Sequence, residues 1–239
     1  MSRFEGETRY DVILKLARNR AKDLNLRERH QLLRVFMEDI FNKVAEIFNL
    51  CKSFQARAAV YGEAFQAIFT VIMEEYFPHI KLIHGCEIED ACLSGVGKAD
   101  FVALDVKNRI LAVIETKGSA DYIICDGKKI KLTRPGLIRT DTTKKAICNA
   151  AQVKYGISMD MPYIIVTSHK PLPNTSSYCM LSLVEGKLVD MVVDVTNINE
   201  LKKMVRLIEN TKPSNLIYRD GKAEKVVSLA EYFTSRTNR

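Results

Sequence analysis

Two acidic residues and one lysine lie at the ends of two neighbouring apolar segments, 99–106 and 109–116. Asp100 begins the first segment, and Glu115 and Lys117 close the second. Residues two apart on a strand project from the same face, so Glu115 and Lys117 are predicted to point the same way. If the two segments pair as a hairpin around their short connection, Asp100 lies opposite Glu115. The sequence therefore predicts two carboxylates with an ammonium group beside them, at the end of a buried strand.

This trio suits the metal-dependent hydrolysis of a phosphodiester. Two carboxylates at close range repel each other unless a cation compensates, and hard oxygen ligands favour Mg²⁺. A lysine beside them can orient or help deprotonate the attacking water, and it can offset negative charge on the reacting phosphate. We therefore interpret Asp100, Glu115 and Lys117 as catalytic residues, and we expect Asp100 and Glu115 to bind Mg²⁺.

The motif formed by Asp100 and Glu115-Thr116-Lys117 resembles that of the PD-(D/E)xK nuclease superfamily, which includes many restriction endonucleases, junction resolvases and repair nucleases. Ala99 stands where the name of the superfamily has proline. The resemblance implies that the main-chain carbonyl of Thr116 is a third metal ligand. It also implies that Mn²⁺ can substitute for Mg²⁺.

The order of the predicted elements agrees with this resemblance. The superfamily core is a helix, three meandering strands, a helix and a strand. Apolar periodicity predicts such elements at 54–77, 80–88, 99–106, 109–117, 143–155 and 161–168. Glu63 lies in the first of these helices, where many members of the superfamily carry a glutamate that completes the metal site. The resemblance therefore implies a catalytic role for Glu63.

We predict from this order an α/β fold with a restriction-endonuclease-like core, in which helices flank a mixed central sheet. A single nuclease domain would span residues 1–239. Within it we expect a helical N-terminal segment at 1–50, a catalytic core at about 54–168 and a C-terminal extension at 169–239.

Apolar stripes and turn signals predict the remaining elements. Helices are expected at 10–22, 27–50 and 199–209, the last capped by Asn197 or Asn199. Hairpins are expected at 122–125 with 128–132, at 180–184 with 188–195, and around 220–221.

Positive charge is concentrated directly after the candidate catalytic strand. Residues 117–145 contain eight lysines and arginines against three aspartates, a net charge of +5 out of +7 for the whole chain. Phosphate contacts release counterions and supply much of the affinity for nucleic acids, although a solvated basic loop is an alternative. We expect double-stranded DNA to be bound by Lys128, Lys129, Lys131, Arg134, Arg139, Lys144 and Lys145.

Composition excludes several classes of protein. The chain has 239 residues, of which 47% are hydrophobic and 27% are charged, as in a globular protein and unlike a disordered or fibrous one. No apolar run approaches the roughly 18 residues of a membrane span, and residues 1–7 lack the apolar core of a signal peptide. We therefore expect a cytoplasmic protein with no membrane partner, whose six cysteines are reduced and buried.

Three functions are compatible with these features. The first is a Mg²⁺-dependent type II restriction endonuclease, which would act as a homodimer because cutting both strands of a symmetric site requires two active sites. The second is a structure-directed nuclease of repair or recombination, similar to a junction resolvase. The third is a DNA-binding protein that has the fold but not the chemistry. The intact Asp100, Glu115 and Lys117 favour the first two.

Overall fold

The computed structural model describes residues 6–52 and 54–226, without the side chains of residues 54–56 and 96. Residues 1–5, 53 and 227–239, which the predicted domain limits include, lie outside the described residues. The helices are α1 (Arg9–Leu24), α2 (Leu33–Ile47), α3 (Phe54–Tyr76), α4 (Thr140–Gly156), α5 (Ser176–Val184) and α6 (Ile198–Glu209). The strands are β1 (Lys81–Ile88), β2 (Ala99–Leu104), β3 (Ile110–Lys117), β4 (Tyr122–Cys125), β5 (Lys128–Lys131), β6 (Tyr163–Thr167), β7 (Met191–Asp194), β8 (Leu216–Arg219) and β9 (Lys222–Lys225).

Seven strands form one mixed sheet, in the order β7-β6-β3-β2-β1-β9-β8. Strands β1, β2 and β3 are an antiparallel meander, and β6 and β7 add to it in parallel. At the other side, β9 pairs in parallel with β1, and β8 is antiparallel to β9. The strands after residue 168 thus extend both sides of the predicted core, and the α/β class with a mixed central sheet is confirmed.

Helices cover both faces of this sheet. Buried residues of α1, α2, α3 and α6 form one hydrophobic core on one face, and α4 and α5 pack with a second core on the other. The local sequence explains where α1 begins and where α3 ends. Thr8 forms a capping box with Asp11 at the start of α1, and α3 ends two residues before Pro78.

The predicted helix 27–50 is shorter in the structure. Short 3₁₀ turns at Leu26–Glu28 and His30–Leu32 precede α2, which begins only at residue 33. From there the apolar stripe is buried as predicted, with Phe36, Ile40 and Val44 among its fully buried residues. The apolar periodicity, which begins at Leu33, therefore indicates the start of α2 correctly, whereas the polar residues before it are not part of the helix.

The hairpin predicted at 180–184 and 188–195 is wrong. Residues 176–184 form α5, whose first turn is capped by Thr175, and β7 pairs in parallel with β6. Two parallel strands require a crossover connection, and α5 is part of it. A short apolar run such as 180–184 does not by itself distinguish a strand from a helix.

The expectation of six reduced and buried thiols is also wrong. Cys51 and Cys125 form a disulfide across 74 residues of sequence. Of the other cysteines, Cys86 is buried, whereas Cys92, Cys148 and Cys179 are exposed. The pairing depends on the fold, because the end of β4 lies beside the segment that follows α2, and no local spacing predicts it.

A separate two-stranded sheet of β4 and β5 stands apart from the central sheet, as the Asp126-Gly127 turn predicted. The hairpin of β8 and β9 around residues 220–221 and the cap of α6 at Asn197 are likewise confirmed. Within residues 6–52 and 54–226, no helix is both long and apolar enough to cross a membrane.

Candidate active site

The two candidate carboxylates come together at the ends of adjacent strands. Phe101 of β2 pairs with Ile114 of β3, and one further step along this register places Asp100 opposite Glu115. One oxygen of Asp100, Oδ2, accepts hydrogen bonds from the main-chain nitrogen and the hydroxyl of Thr116, each at 2.7 Å. The strand that presents Glu115 therefore also fixes the orientation of Asp100.

Lys117 is the immediate partner of the second carboxylate. Its ammonium group donates to Oε1 of Glu115 and lies 3.3 Å from the main-chain oxygen of Thr116. The same Oε1 accepts a 3.3 Å hydrogen bond from Asn149 of α4. Because the Glu115 side chain is only 6% exposed, these contacts take the place of most of its hydration.

Burial and neighbouring charges shift the pKa values of Glu115 and Lys117. Burial raises the pKa of Glu115, the nearby Asp100 carboxylate raises it further, and Lys117 acts in the opposite direction. For Lys117, burial lowers the pKa, but Glu115 and Asp100 more than compensate, and the net shift is upward. The lysine is therefore held as an ammonium ion, whereas the Asp100 carboxylate disfavours the charged form of Glu115.

The oxygen atoms at this position fit a hard divalent cation. Oε1 of Glu115 and the Thr116 carbonyl already share a positive partner in the Lys117 ammonium group, and Asp100 supplies further oxygen. Mg²⁺ characteristically binds one or two carboxylates and keeps several waters. Among the residues described here, no group of three or more His, Cys, Asp or Glu side chains is placed to hold a metal ion.

A cavity of about 510 Å³ opens directly beside Asp100 and Lys117. Its walls come from the first half of α3, the chain that follows β3, the end of β5 and the start of α4. Two glycines allow these segments to approach each other. A Cβ atom on Gly118 would lie 2.0 Å from the Phe65 ring, and Gly136 has a φ of +57° with the Thr167 hydroxyl close by.

The predicted DNA-binding residues divide into two groups. Lys131, Arg134 and Arg139 line this cavity, and Arg139 also pairs with Asp141 at 2.8 Å. The remaining four are exposed and do not line the cavity: Lys128, Lys129, Lys144 and Lys145. The structure therefore brings part of the basic segment to the same cavity as Asp100 and Lys117 and leaves part of it on the surface.

No protein-family model matches this chain, and no curated protein or solved structure matches it significantly. The functional assignment therefore depends on the geometry of the site itself.

Glu63 is not among the residues that line the cavity. Both oxygens of its carboxylate pair with the guanidinium group of Arg9 on α1. Gln66, one turn later on α3, instead contacts Asp100: its amide nitrogen donates to Oδ1 at 2.9 Å. The structure thus places a neutral amide where the resemblance implied a carboxylate.

Gln66 connects Asp100 to a histidine. A carboxylate only accepts hydrogen bonds, so Gln66 presents its nitrogen to Asp100 and its oxygen to Nε2 of His84, at 3.0 Å. This arrangement requires a proton on Nε2. The imidazole stacks on Tyr10 with ring centroids 4.0 Å apart, and burial lowers the pKa of His84 although Asp100 opposes the shift.

Sequence reasoning did not identify Gln66, His84 or Asn149 as parts of the site. Gln66 was within reach of helical periodicity, because it lies one turn after Glu63 on the same helix. His84 and Asn149 gave no local signal, since each reaches the site only through the packing of its element against β2 or β3.

Proposed function

We propose that this protein is a Mg²⁺-dependent endonuclease that hydrolyses phosphodiester bonds of DNA. The observation that carries the proposal is the position of Asp100 opposite Glu115 across β2 and β3, with the Lys117 ammonium group on Glu115 and on the Thr116 carbonyl, beside a cavity with basic walls. A site of this kind combines metal ligands, a fixed positive charge and phosphate-binding groups within one cavity.

Each residue has a defined task in this proposal. Asp100, Glu115 and the Thr116 carbonyl would hold Mg²⁺, or Mn²⁺ in its place, and the ion when bound would polarise the phosphate and activate water. Thr116 and Gln66 hold the Asp100 carboxylate in one orientation, and Asn149 does the same for Glu115.

In this proposal Lys117 supplies a positive charge to the active site. Glu115 and Asp100 raise the pKa of Lys117, and in this proposal its ammonium group stabilises the negative charge that develops on the phosphate. Lys131, Arg134 and Arg139 bind neighbouring phosphates from the other side of the cavity.

Two substrate classes follow from the same active site. A type II restriction endonuclease would cut double-stranded DNA at a symmetric sequence and would require a homodimer with two active sites. A structure-directed nuclease would act where strands branch or are unpaired. A cytoplasmic location, with access to cellular or invading DNA, belongs to either form of the proposal.

The proposal is tested by incubating the protein with supercoiled plasmid and with labelled linear, flapped, four-way and single-stranded oligonucleotides. We expect cleavage with Mg²⁺ or Mn²⁺ and none in EDTA. Discrete plasmid fragments would indicate a restriction enzyme, and cleavage confined to branched or unpaired DNA would indicate a structure-directed nuclease. Absence of cleavage on every substrate, by protein that binds DNA, would overturn the proposal in favour of a non-catalytic DNA-binding protein.

A further inference from the structure

A buried tyrosine hydroxyl in the wall of the cavity lacks a partner. Tyr61 of α3 is 2% exposed, and its hydroxyl makes no hydrogen bond to any of the residues that the structure describes. Burial raises its pKa to about 12, against the opposing charge of Arg57, so the group remains a protonated donor. A buried polar group without a partner is costly, and a ligand that accepts its hydrogen bond would remove that cost.

The other cavity walls have three distinct chemistries. Arg57, Lys131 and Arg134 supply positive charge, and Asp100 and Lys117 supply the catalytic groups. Ala58, Ile130 and Leu132 supply apolar surface to the same cavity. A nucleotide has matching parts, because its phosphate is anionic and its base and sugar offer flat apolar faces.

The size of the cavity favours one nucleotide. Its volume of about 510 Å³ lies within the range of roughly 300–1,000 Å³ that is typical of small-ligand pockets. A base that is still paired and stacked in a duplex cannot enter such a pocket, and extruding it costs free energy.

The hairpin that forms one wall is attached to the body of the protein. Ile123 of β4 is fully buried, the Tyr122 hydroxyl accepts a 3.2 Å hydrogen bond from Asn42 of α2, and the disulfide joins Cys125 to Cys51. These contacts hold Ile130 and Leu132 against the cavity and oppose the opening that a duplex would require.

We infer that the cavity binds one unpaired nucleotide of the DNA strand under attack, with a phosphate against Arg57, Lys131 and Arg134 and the Tyr61 hydroxyl as an additional donor. This inference rests on the proposed function and specifies its substrate class. It favours a nuclease of branched or single-stranded DNA over a restriction enzyme that reads an undistorted duplex.

The test measures binding and does not depend on turnover. The Glu115→Gln variant, in Ca²⁺, is titrated with a fluorescent single-stranded 12-mer and with the same strand in a blunt duplex. We expect the single strand to bind at least about tenfold more tightly, because the duplex must first lose pairing. Equal affinity, preference for the duplex, or no binding to either would overturn the inference.

Substitutions in the same background locate the binding to the cavity. Tyr61→Phe should weaken single-strand affinity about fivefold, the effect of removing one hydrogen bond, while leaving the thermal stability of the free protein equal or higher. Arg57→Gln should weaken it further. Lys202→Gln, at an exposed position of α6 outside the cavity, is the matched control and should change nothing. Unchanged affinity in both cavity variants would contradict the assignment.

The outcome also separates this inference from the proposed function. If the wild type cleaves DNA with Mg²⁺ but the inactive variant shows no preference for the single strand, the inference is contradicted and the proposed nuclease activity is supported. If the inactive variant prefers the single strand in a way that requires Tyr61 but the wild type cleaves no substrate, the binding site is supported and the proposed nuclease activity is contradicted.

Discussion

The two hairpins that face the cavity differ in how the fold holds them. The hairpin of β2 and β3 is enclosed in the central sheet between β1 and β6, and almost all of its residues are buried. Among the described strands, β4 and β5 pair only with each other, and all four residues of β5 are exposed. The first carries the carboxylates, and the second carries much of the positive charge.

In the proposed function, this difference corresponds to two tasks, catalysis by the first hairpin and binding of DNA by the second. Catalysis requires groups fixed within fractions of an ångström, so Asp100 and Glu115 are held by strand pairing and by hydrogen bonds from Thr116 and Asn149. Binding of a polyanion depends mainly on the amount and position of charge, so in the proposed function the lysines of β5 can bind DNA from an exposed surface. Substitutions in the first hairpin should therefore change rate, and those in the second should change affinity.

The largest effect is expected at the carboxylates. Asp100→Asn and Glu115→Gln keep the size of each side chain but remove the charge that a divalent cation requires, so each should reduce Mg²⁺-dependent cleavage below detection. Circular dichroism and thermal unfolding check that the fold is retained. Cleavage by either variant at a rate close to wild type would refute the assignment of that residue.

Lys117→Ala should lower the single-turnover cleavage rate by about 10²-fold or more, since it removes a group that acts in the transition state. Affinity for DNA in Ca²⁺ should change little, because the ammonium group is directed at Glu115 and Thr116 in the free protein. A rate within tenfold of wild type would show that the lysine only balances charge.

A smaller effect is expected from the glutamine that holds Asp100. Gln66→Leu removes the hydrogen bond to Oδ1 and should lower the cleavage rate by about tenfold, as for a hydrogen bond to a charged group. The Mg²⁺ concentration for half-maximal rate should rise, and higher Mg²⁺ should partly restore the rate. Glu63→Gln, which removes the charge that pairs with Arg9 and leaves the hydrogen bond of Gln66 to Asp100 in place, is the matched control; a comparable loss in it would contradict this account.

The smallest effect on rate is expected in the second hairpin. Replacing Lys128, Lys129 and Lys131 by glutamine should weaken DNA binding and reduce the slope of log affinity against log salt by about 0.9 for each duplex phosphate that the protein no longer neutralises. The cleavage rate at saturating DNA should remain near wild type. The matched triple variant of Lys202, Lys203 and Lys212 should keep the original slope. Equal slopes in both triple variants would make the β5 lysines a solvated surface.

The carboxylate pair was the part of the site that sequence could predict. The predicted register, which places Asp100 opposite Glu115, agrees with the pairing of Phe101 to Ala103, although the pairing shifts by one residue between Ala103 and Leu104, nearer the connection. Apolar runs in the same way predicted the buried strand β6, because all five of its residues lie in the core. Features that depend on residues close together in the sequence could therefore be predicted.

Features decided by packing between distant segments were not predictable. The contact of Gln66 with Asp100 depends on the rotation of α3 over the sheet, and the contact of Asn149 with Glu115 depends on how α4 packs against β3. The disulfide between Cys51 and Cys125 depends on where β4 lies beside the end of α2. The parallel pairing of β7 likewise requires knowledge of the whole sheet.

The central claim is that Asp100 and Glu115 form a binding site for a divalent cation. It is tested most directly by titrating the protein with Mn²⁺ and following the loss of the free-ion signal by electron paramagnetic resonance. We expect the wild type to bind Mn²⁺, Mg²⁺ to compete for the same site, and the folded double variant Asp100→Asn with Glu115→Gln to lose this binding. Equal Mn²⁺ affinity and stoichiometry in the wild type and the double variant would contradict the account.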